Sequence, residues 1–237
     1  MRPTLAARIL CASLACAMLL AGCGGEEPEE KRKVEDDPAV TGALGDEIMV
    51  DPELAGQQGD AGTSQIEIPP EQRTPEAIAA IRAEAAALAG GTLKPAPAAS
   101  GGDLAKALGG AVTGGQIAAL AGIARAGCAG KVEYSARWAA ALPPVLAVYP
   151  QGAVQEAAGT DRDGCQLRVV SFLTPVAASE VIDFYHTRVR SGGYGAAHQA
   201  DGKDHVLTGR KGEAAYLVHA RELGDGLTEV DVVTSGV

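Results

Sequence analysis

Four histidines, His186, His198, His205 and His219, are the side chains best suited to acid–base or metal chemistry in this chain. No pair has the i, i+4 spacing that puts two imidazoles on one helix face for a metal. His205 lies near Asp201 and Asp204, which makes a weak carboxylate–histidine patch; the plainer reading is a solvated hairpin loop. His219 falls in an expected strand and could meet His198 or His205 across a sheet. Asp183 and His186 are three apart on one helix face, a spacing more often seen in a surface pair than in a catalytic dyad. No nucleophile elbow G-x-S-x-G, zinc motif H-E-x-x-H or phosphate loop is present. Gly101-Gly102 and the other glycine pairs lack the strand–helix context of a phosphate site. Trp138 and Tyr134 share one side of a short helix and read as core, with an exposed recognition surface as the alternative. The expectation is therefore no catalytic residue, no metal ligand, no cofactor and no enzyme.

These side chains need elements to position them, and the signals for elements lie late. All eight aromatic residues fall at Tyr134 or beyond. Ser135 can cap a short helix, ARWAAAL, ended by Pro143-Pro144, and residues 145–149 are extended. Strands fit 153–158 and 166–173, joined by turn chemistry from Gly159 to Gly164. Thr174-Pro175 opens a helix, VAASEVIDFYHTRVR, with Ile182, Tyr185 and Val189 on one stripe. Three more strands fit 194–200, 204–209 and 213–221, with a last one at 226–234; Asp201-Gly202 and Gly224-Asp225-Gly226 mark hairpins. The expected fold class is α+β with the order β-β-α-β-β-β. That is a small antiparallel sheet with one main packed helix, preceded by a long disordered acidic tether and Ala-rich helices.

The first 23 residues read as an address. Arg2 and Arg8 make a positive start, and Ile9 to Leu20 is an apolar stretch of signal-peptide length, shorter than the roughly 20 residues of a membrane span. It ends in Leu20-Ala21-Gly22-Cys23, which resembles the lipobox of bacterial lipoproteins. The resemblance implies that Cys23 takes a diacylglyceryl group and becomes the first residue of the mature chain. Multiple acyl chains then give a stable lipid anchor. The residue after the cysteine is Gly24 rather than Asp, which in this family leans towards the outer membrane, facing the periplasm. The alternative is an ordinary secretory signal with an incidental cysteine. Cys11 and Cys16 leave with the signal. Cys128 and Cys165 remain, an even pair in an exported protein, and suggest one disulfide. Two free thiols or a zinc site are the alternatives, but two cysteines without nearby histidines do not supply four ligands.

Charge divides the rest. The 237 residues carry a net charge of -10, and residues 24–100 alone hold 16 acidic against 6 basic side chains. Such a balance argues against nucleic-acid binding, which needs a basic face. Low hydrophobicity with high net charge predicts disorder up to about residue 73. A flexible stretch of about 50 residues reaches roughly 40 Å. The template Asp-Pro-x-[Val/Leu]-x-Gly occurs twice inside it, as Asp37-Pro38-Ala39-Val40-Thr41-Gly42 and Asp51-Pro52-Glu53-Leu54-Ala55-Gly56. Leu44, Ile48, Met49 and Val50 lie between. Apolar residues in an acidic tract can form a linear motif that folds on a partner; a chance pair of Asp-Pro turns is the alternative. Thr74-Pro75-Glu76 opens a helix that runs to Gly90-Gly91. A linker follows at 92–102, then a weak helix over 103–126 broken at Gly109-Gly110 and Gly114-Gly115. The expected organisation is a signal peptide at 1–22, a tether at 23–73, an Ala/Gly-rich helical and linker region at 74–127, and a folded domain at 128–237.

One further likeness concerns the folded end. LPPVLAVYPQGAVQEAAG, RVVSFLTP and EVIDFYHTRVRSGGY resemble a small domain of uncharacterised proteobacterial envelope lipoproteins. The resemblance implies a compact α+β module and brings no active site. Together these observations predict a membrane-anchored envelope lipoprotein acting as a non-catalytic binding or scaffold module. Its partners would be membrane lipid through Cys23 and another envelope protein. The alternatives are a periplasmic ligand- or metal-binding lipoprotein that uses the sheet face, and an enzyme with an unrecognised site.

Overall fold

Alternation along the strands decides the architecture. In the strand Ala214–Glu222, Tyr216, Val218 and Ala220 are buried on one side while Ala215, Leu217 and His219 are buried on the other. Leu167–Thr174 behaves alike, with Val170 and Phe172 opposed to Leu167 and Val169. Strands apolar on both sides need cover on both sides.

The computed structural model describes residues 66–236, and in them one eight-stranded sheet is covered on each face by helices. In chain order the elements are α1 (Pro75–Leu88), β1 (Ser100–Gly101), α2 (Leu104–Leu108), α3 (Gly114–Ala121), β2 (Glu133–Tyr134) and α4 (Arg137–Ala140). There follow β3 (Ala153–Thr160), β4 (Leu167–Thr174), α5 (Ala178–Ser191), β5 (Ala197–Asp201), β6 (Asp204–Lys211), β7 (Ala214–Glu222) and β8 (Thr228–Ser235). The sheet order is β1-β5-β6-β7-β8-β4-β3-β2, antiparallel throughout except where β1 pairs parallel to β5.

Two expectations are corrected here. The sheet is not small: β1 and β2, two residues each, extend both edges; the four strands read between 194 and 234 all follow α5, one more than the order β-β-α-β-β-β counts. Nor is one helix the whole cover. α5 lays Val181, Ile182, Phe184, Tyr185 and Val189 on one face, and α1 adds Ile81 and Ala85 to the same core. On the other face Ala105 and Leu108 of α2 and Ile117, Ala118 and Ala121 of α3 cover Leu167, Val169, Val206, Leu217 and Val233. The thin apolar faces of the Ala-rich segment suffice because small side chains let a helix approach the sheet closely.

The local signals of the sequence have visible counterparts. Thr74 Oγ1 accepts from the Ala77 amide at 3.2 Å, and Thr113 Oγ1 accepts from Gln116 at 3.3 Å, capping α1 and α3. Ser135 makes no cap for α4, whose N-terminal flank is Ala136, and the residues expected to be extended open with a 3-10 turn at Pro144–Leu146. The segment 92–102 runs along α5: Thr187 Oγ1 and Asp183 Oδ1 accept from the amides of Lys94 and Ala96, at 2.7 and 2.8 Å. Residues 66–73, placed in the tether above, are ordered against the sheet, with Ile68 buried and Gln155 paired to both backbone groups of Ile66. The packing therefore does not divide at residue 128. Gly209 has a steric reason: a Cβ there would overlap the Gly195 carbonyl and the Tyr216 ring.

Candidate functional site

A polar row crosses the face of the sheet that α2 and α3 cover. Register puts Glu156 of β3 opposite Ser171 of β4, Ser171 opposite Asp231 of β8, and Asp231 opposite His219 of β7. Four neighbouring strands thus contribute to one polar row, with the paired Arg221 and Glu229 next along β7 and β8, on a face whose remainder includes Leu167, Val169, Leu217 and Val233. A step in register between Val154 and Glu156 places both Gln155 and Glu156 on this side.

Asp231 is the only buried carboxylate among the described residues, 4 % exposed. Ser171 Oγ donates to its Oδ1 at 2.6 Å, and His219 Nδ1 donates to its Oδ2 at 3.1 Å. A carboxylate only accepts, so both neighbours must be donors. His219 is 1 % exposed, and its Nε2 finds no partner among the described residues. The geometry is unlike a nucleophile relay. Such a relay needs the serine on the imidazole, whereas here serine and imidazole both address the aspartate.

Ser171 and Asp231 line a cleft of about 640 Å³, within the range of small-molecule sites. Leu108, Ile117, Leu173 and Leu227 make apolar walls. Glu156 accepts from the Gly114 amide through Oε1, which ties the first turn of α3 to the cleft. Beyond the row, Arg221 pairs with Glu229 and donates to the Gly109 carbonyl at 2.6 Å. The far wall is the strap 66–73, held by Gln155 at one end and by a bond from Arg73 to the Asp225 carbonyl at the other. The lining carries five carboxylates, Glu67, Glu156, Asp225, Glu229 and Asp231, against two guanidiniums.

The chain matches no family model, no curated protein and no solved structure. Geometry and residue chemistry therefore carry the functional reading.

The histidines sort differently from the sequence expectation. His198 and His205 do meet, stacked with ring centroids 5.2 Å apart and Nε2 of His198 3.0 Å from Nδ1 of His205. His219 does not join them, because it faces the opposite side of the sheet. His198 Nδ1 lies 2.8 Å from the Pro97 carbonyl and must donate to it, so its Nε2 accepts from His205 in the neutral pair. Burial pushes the His205 imidazole below its ordinary pKa, and the His198 charge adds to this; Glu222, Asp204 and Asp183 oppose it. Asp183 and His186 do not act on each other but on the segment above them, His186 Nδ1 meeting the Lys94 carbonyl at 3.2 Å. Trp138 is buried, with Arg137 and Arg168 over its ring at 4.4 and 4.6 Å, while Tyr134 is 55 % exposed. Among the described residues no three of His, Cys, Asp and Glu stand close enough to hold a metal ion.

Cys128 and Cys165 are joined, with Cα atoms 5.7 Å apart, and the bond is buried under α3. Cys23 and the repeated motif, Asp37, Pro38, Val40, Gly42, Asp51, Pro52, Leu54 and Gly56, lie outside the described residues. No helix among the described residues is long and apolar enough to cross a membrane. Sequence reasoning missed Glu156, Ser171, Arg221, Glu229 and Asp231. A signal for Asp231 existed: one acid inside the β-branched run Val230–Val233.

Proposed function

We propose that this chain is a lipid-anchored lipoprotein of the bacterial envelope, held in the outer membrane by acylated Cys23, whose folded part is a non-catalytic binding module. The cleft over the Glu156–Ser171–Asp231–His219 row is its recognition site. The observation that carries this reading is the placement of a buried aspartate at the floor of an apolar-walled cleft, where burying a charge is costly unless something repays it. The address supports the anchor: a positive start, an apolar stretch and Leu-Ala-Gly-Cys. The shared aspartate supports a binding rather than a catalytic role, since serine and histidine do not touch.

Two measurements test it. Cys23→Ser should move the protein from the membrane fraction to the soluble one and abolish labelling by a fatty-acid analogue. A photo-crosslinking residue at Val112, on the cleft rim, should capture a specific species in cells, whereas one at Tyr134, away from the cleft, should not. Equal capture from both positions would remove the cleft from the function. The motif at 37–56 is the second place where a partner could bind, and deleting it should leave capture from Val112 unchanged.

A further inference from the structure

We infer that the cleft takes a small organic cation, a primary ammonium carried on an alkyl chain. This rests on the cleft being the binding site and adds the class of ligand.

The charges of the cleft are unevenly spoken for. Arg221 pairs with Glu229 and donates to the Gly109 carbonyl, with its buried Nε left without a partner among the described residues, and Arg73 donates to the Asp225 carbonyl. Neither guanidinium reaches Asp231, whose two donors are a hydroxyl and an imidazole. Glu156 meets a backbone amide through one oxygen, and neither it nor Asp231 is paired with a Lys or Arg among the described residues. Two carboxylates opposite each other across one intervening strand thus wait without a permanent cation. At the far end of their row His219, 1 % exposed and outside the cleft lining, carries an unpartnered Nε2, so the row is incomplete as a hydrogen-bonded network.

The walls describe the rest of the ligand. Ile66 and Val112, both on the cleft lining, are 53 % and 81 % exposed, two of the largest apolar groups left open to water. They share the lining with the buried Leu108, Ile117 and Leu227 and with the exposed Glu67, Arg73 and Asp225. A lining that is half apolar and holds five carboxylates against two guanidiniums matches an alkyl body with a cationic head. The spacing of the acids favours an organic cation over a metal ion, because no three ligating groups converge here. A monovalent ammonium needs only one carboxylate and a neighbouring oxygen, and Asp231 with Ser171 on the adjacent strand is such a pair.

The test uses the full chain in detergent, titrated calorimetrically at neutral pH with n-hexylamine, n-hexanoate and 1-hexanol. Saturable one-site binding of hexylamine is expected, with hexanoate and hexanol at least tenfold weaker. Glu156→Gln keeps an oxygen for the Gly114 amide and removes the charge; Val112→Arg changes an exposed side chain and puts a cation on the lining. Each should weaken hexylamine at least fivefold while leaving the melting temperature nearly unchanged. Equal affinity for the three probes, or hexylamine binding untouched by both variants, overturns the ammonium proposal. If hexanol or hexanoate binds as tightly as hexylamine and Val112→Arg alters that binding, the class of ligand is wrong and the cleft reading stands. If none of the three binds, the class is wrong, and capture from Val112 in cells decides the cleft reading separately.

Discussion

At the residue scale, the energetics turn on Asp231. Its carboxylate satisfies two buried donors, so removing it strands both. Leaving a buried donor without its acceptor costs about 1–3 kcal/mol for each donor, because the group stays desolvated. Asp231→Ala should therefore lose about 3 kcal/mol or more in urea unfolding, while Ser171→Ala, which leaves the His219 contact, should lose about 1 kcal/mol. Equal small losses would show that the row contributes little to the fold. His205 governs a different response. Its folded pKa is depressed, so the unfolded chain takes up the proton first as pH falls. The stability that this group contributes is present above the ordinary histidine value of about 6.5 and is lost as pH falls through the depressed folded value. Melting temperature should fall between pH 7 and 5, and His205→Gln should flatten that slope; an unchanged slope would assign it to other groups. Tyr149 acts at the other extreme. Burial raises its phenol to about 12, so its contribution holds below about pH 10 and fades above it.

At the element scale, the disulfide and the close strand approach are the two fastenings whose loss is easiest to read. Cys128 and Cys165 are 37 residues apart in sequence, and the bond ties the loop after α3 to the start of β4. Chain-entropy reasoning assigns such a loop roughly 4 kcal/mol. Cys128→Ser with Cys165→Ser, or reduction, should lower the melting temperature by about 8–16 °C, since each kcal/mol is worth about 2–4 °C in a domain of this size. A smaller shift would mean that packing of α3 already holds the loop. Gly209→Ala should be as damaging. The new methyl would strike backbone at the crossing of β6 and the Gly195 loop, so neither side can yield without moving the strand. Loss of soluble expression or a change of several kcal/mol is expected, which surface alanine substitutions do not give.

At the scale of the whole molecule, the Ala-rich half is the second cover of the sheet. Without residues 66–127, the face with Leu167, Val169, Val206, Leu217 and Val233 loses α2 and α3, and the opposite core loses Ile81 and Ala85. A fragment spanning 128–237 should aggregate or unfold without cooperativity, measured by calorimetry and dye binding to exposed apolar surface. A sharp native-like transition from that fragment would restore residue 128 as a domain boundary. The strap 66–73 gives the same halves a link to the cleft. The chain towards Leu20-Ala21-Gly22-Cys23 continues from a wall of the site, so what the site holds and where the chain leaves it are adjacent.

What was legible in the sequence was local. Thr74-Pro75, Gly90-Gly91 and the hairpin turns at Asp201-Gly202 and Gly224-Asp225-Gly226 marked helix ends and strands to within a few residues, because caps and turns act over neighbouring residues. The pairing of Cys128 with Cys165 followed from counting. The repeated Asp-Pro motif and the lipobox remain statements about sequence, since they lie outside the described residues. The tertiary structure alone decided which residues form a site. Glu156, Ser171, Asp231 and His219 are spread over more than 60 residues and carry no spacing motif. They become neighbours only because β8 inserts between β4 and β7, and strand order is a long-range choice that no local pattern encodes. For the same reason His219 parted from His198 and His205: one residue of register separates the two faces of a strand.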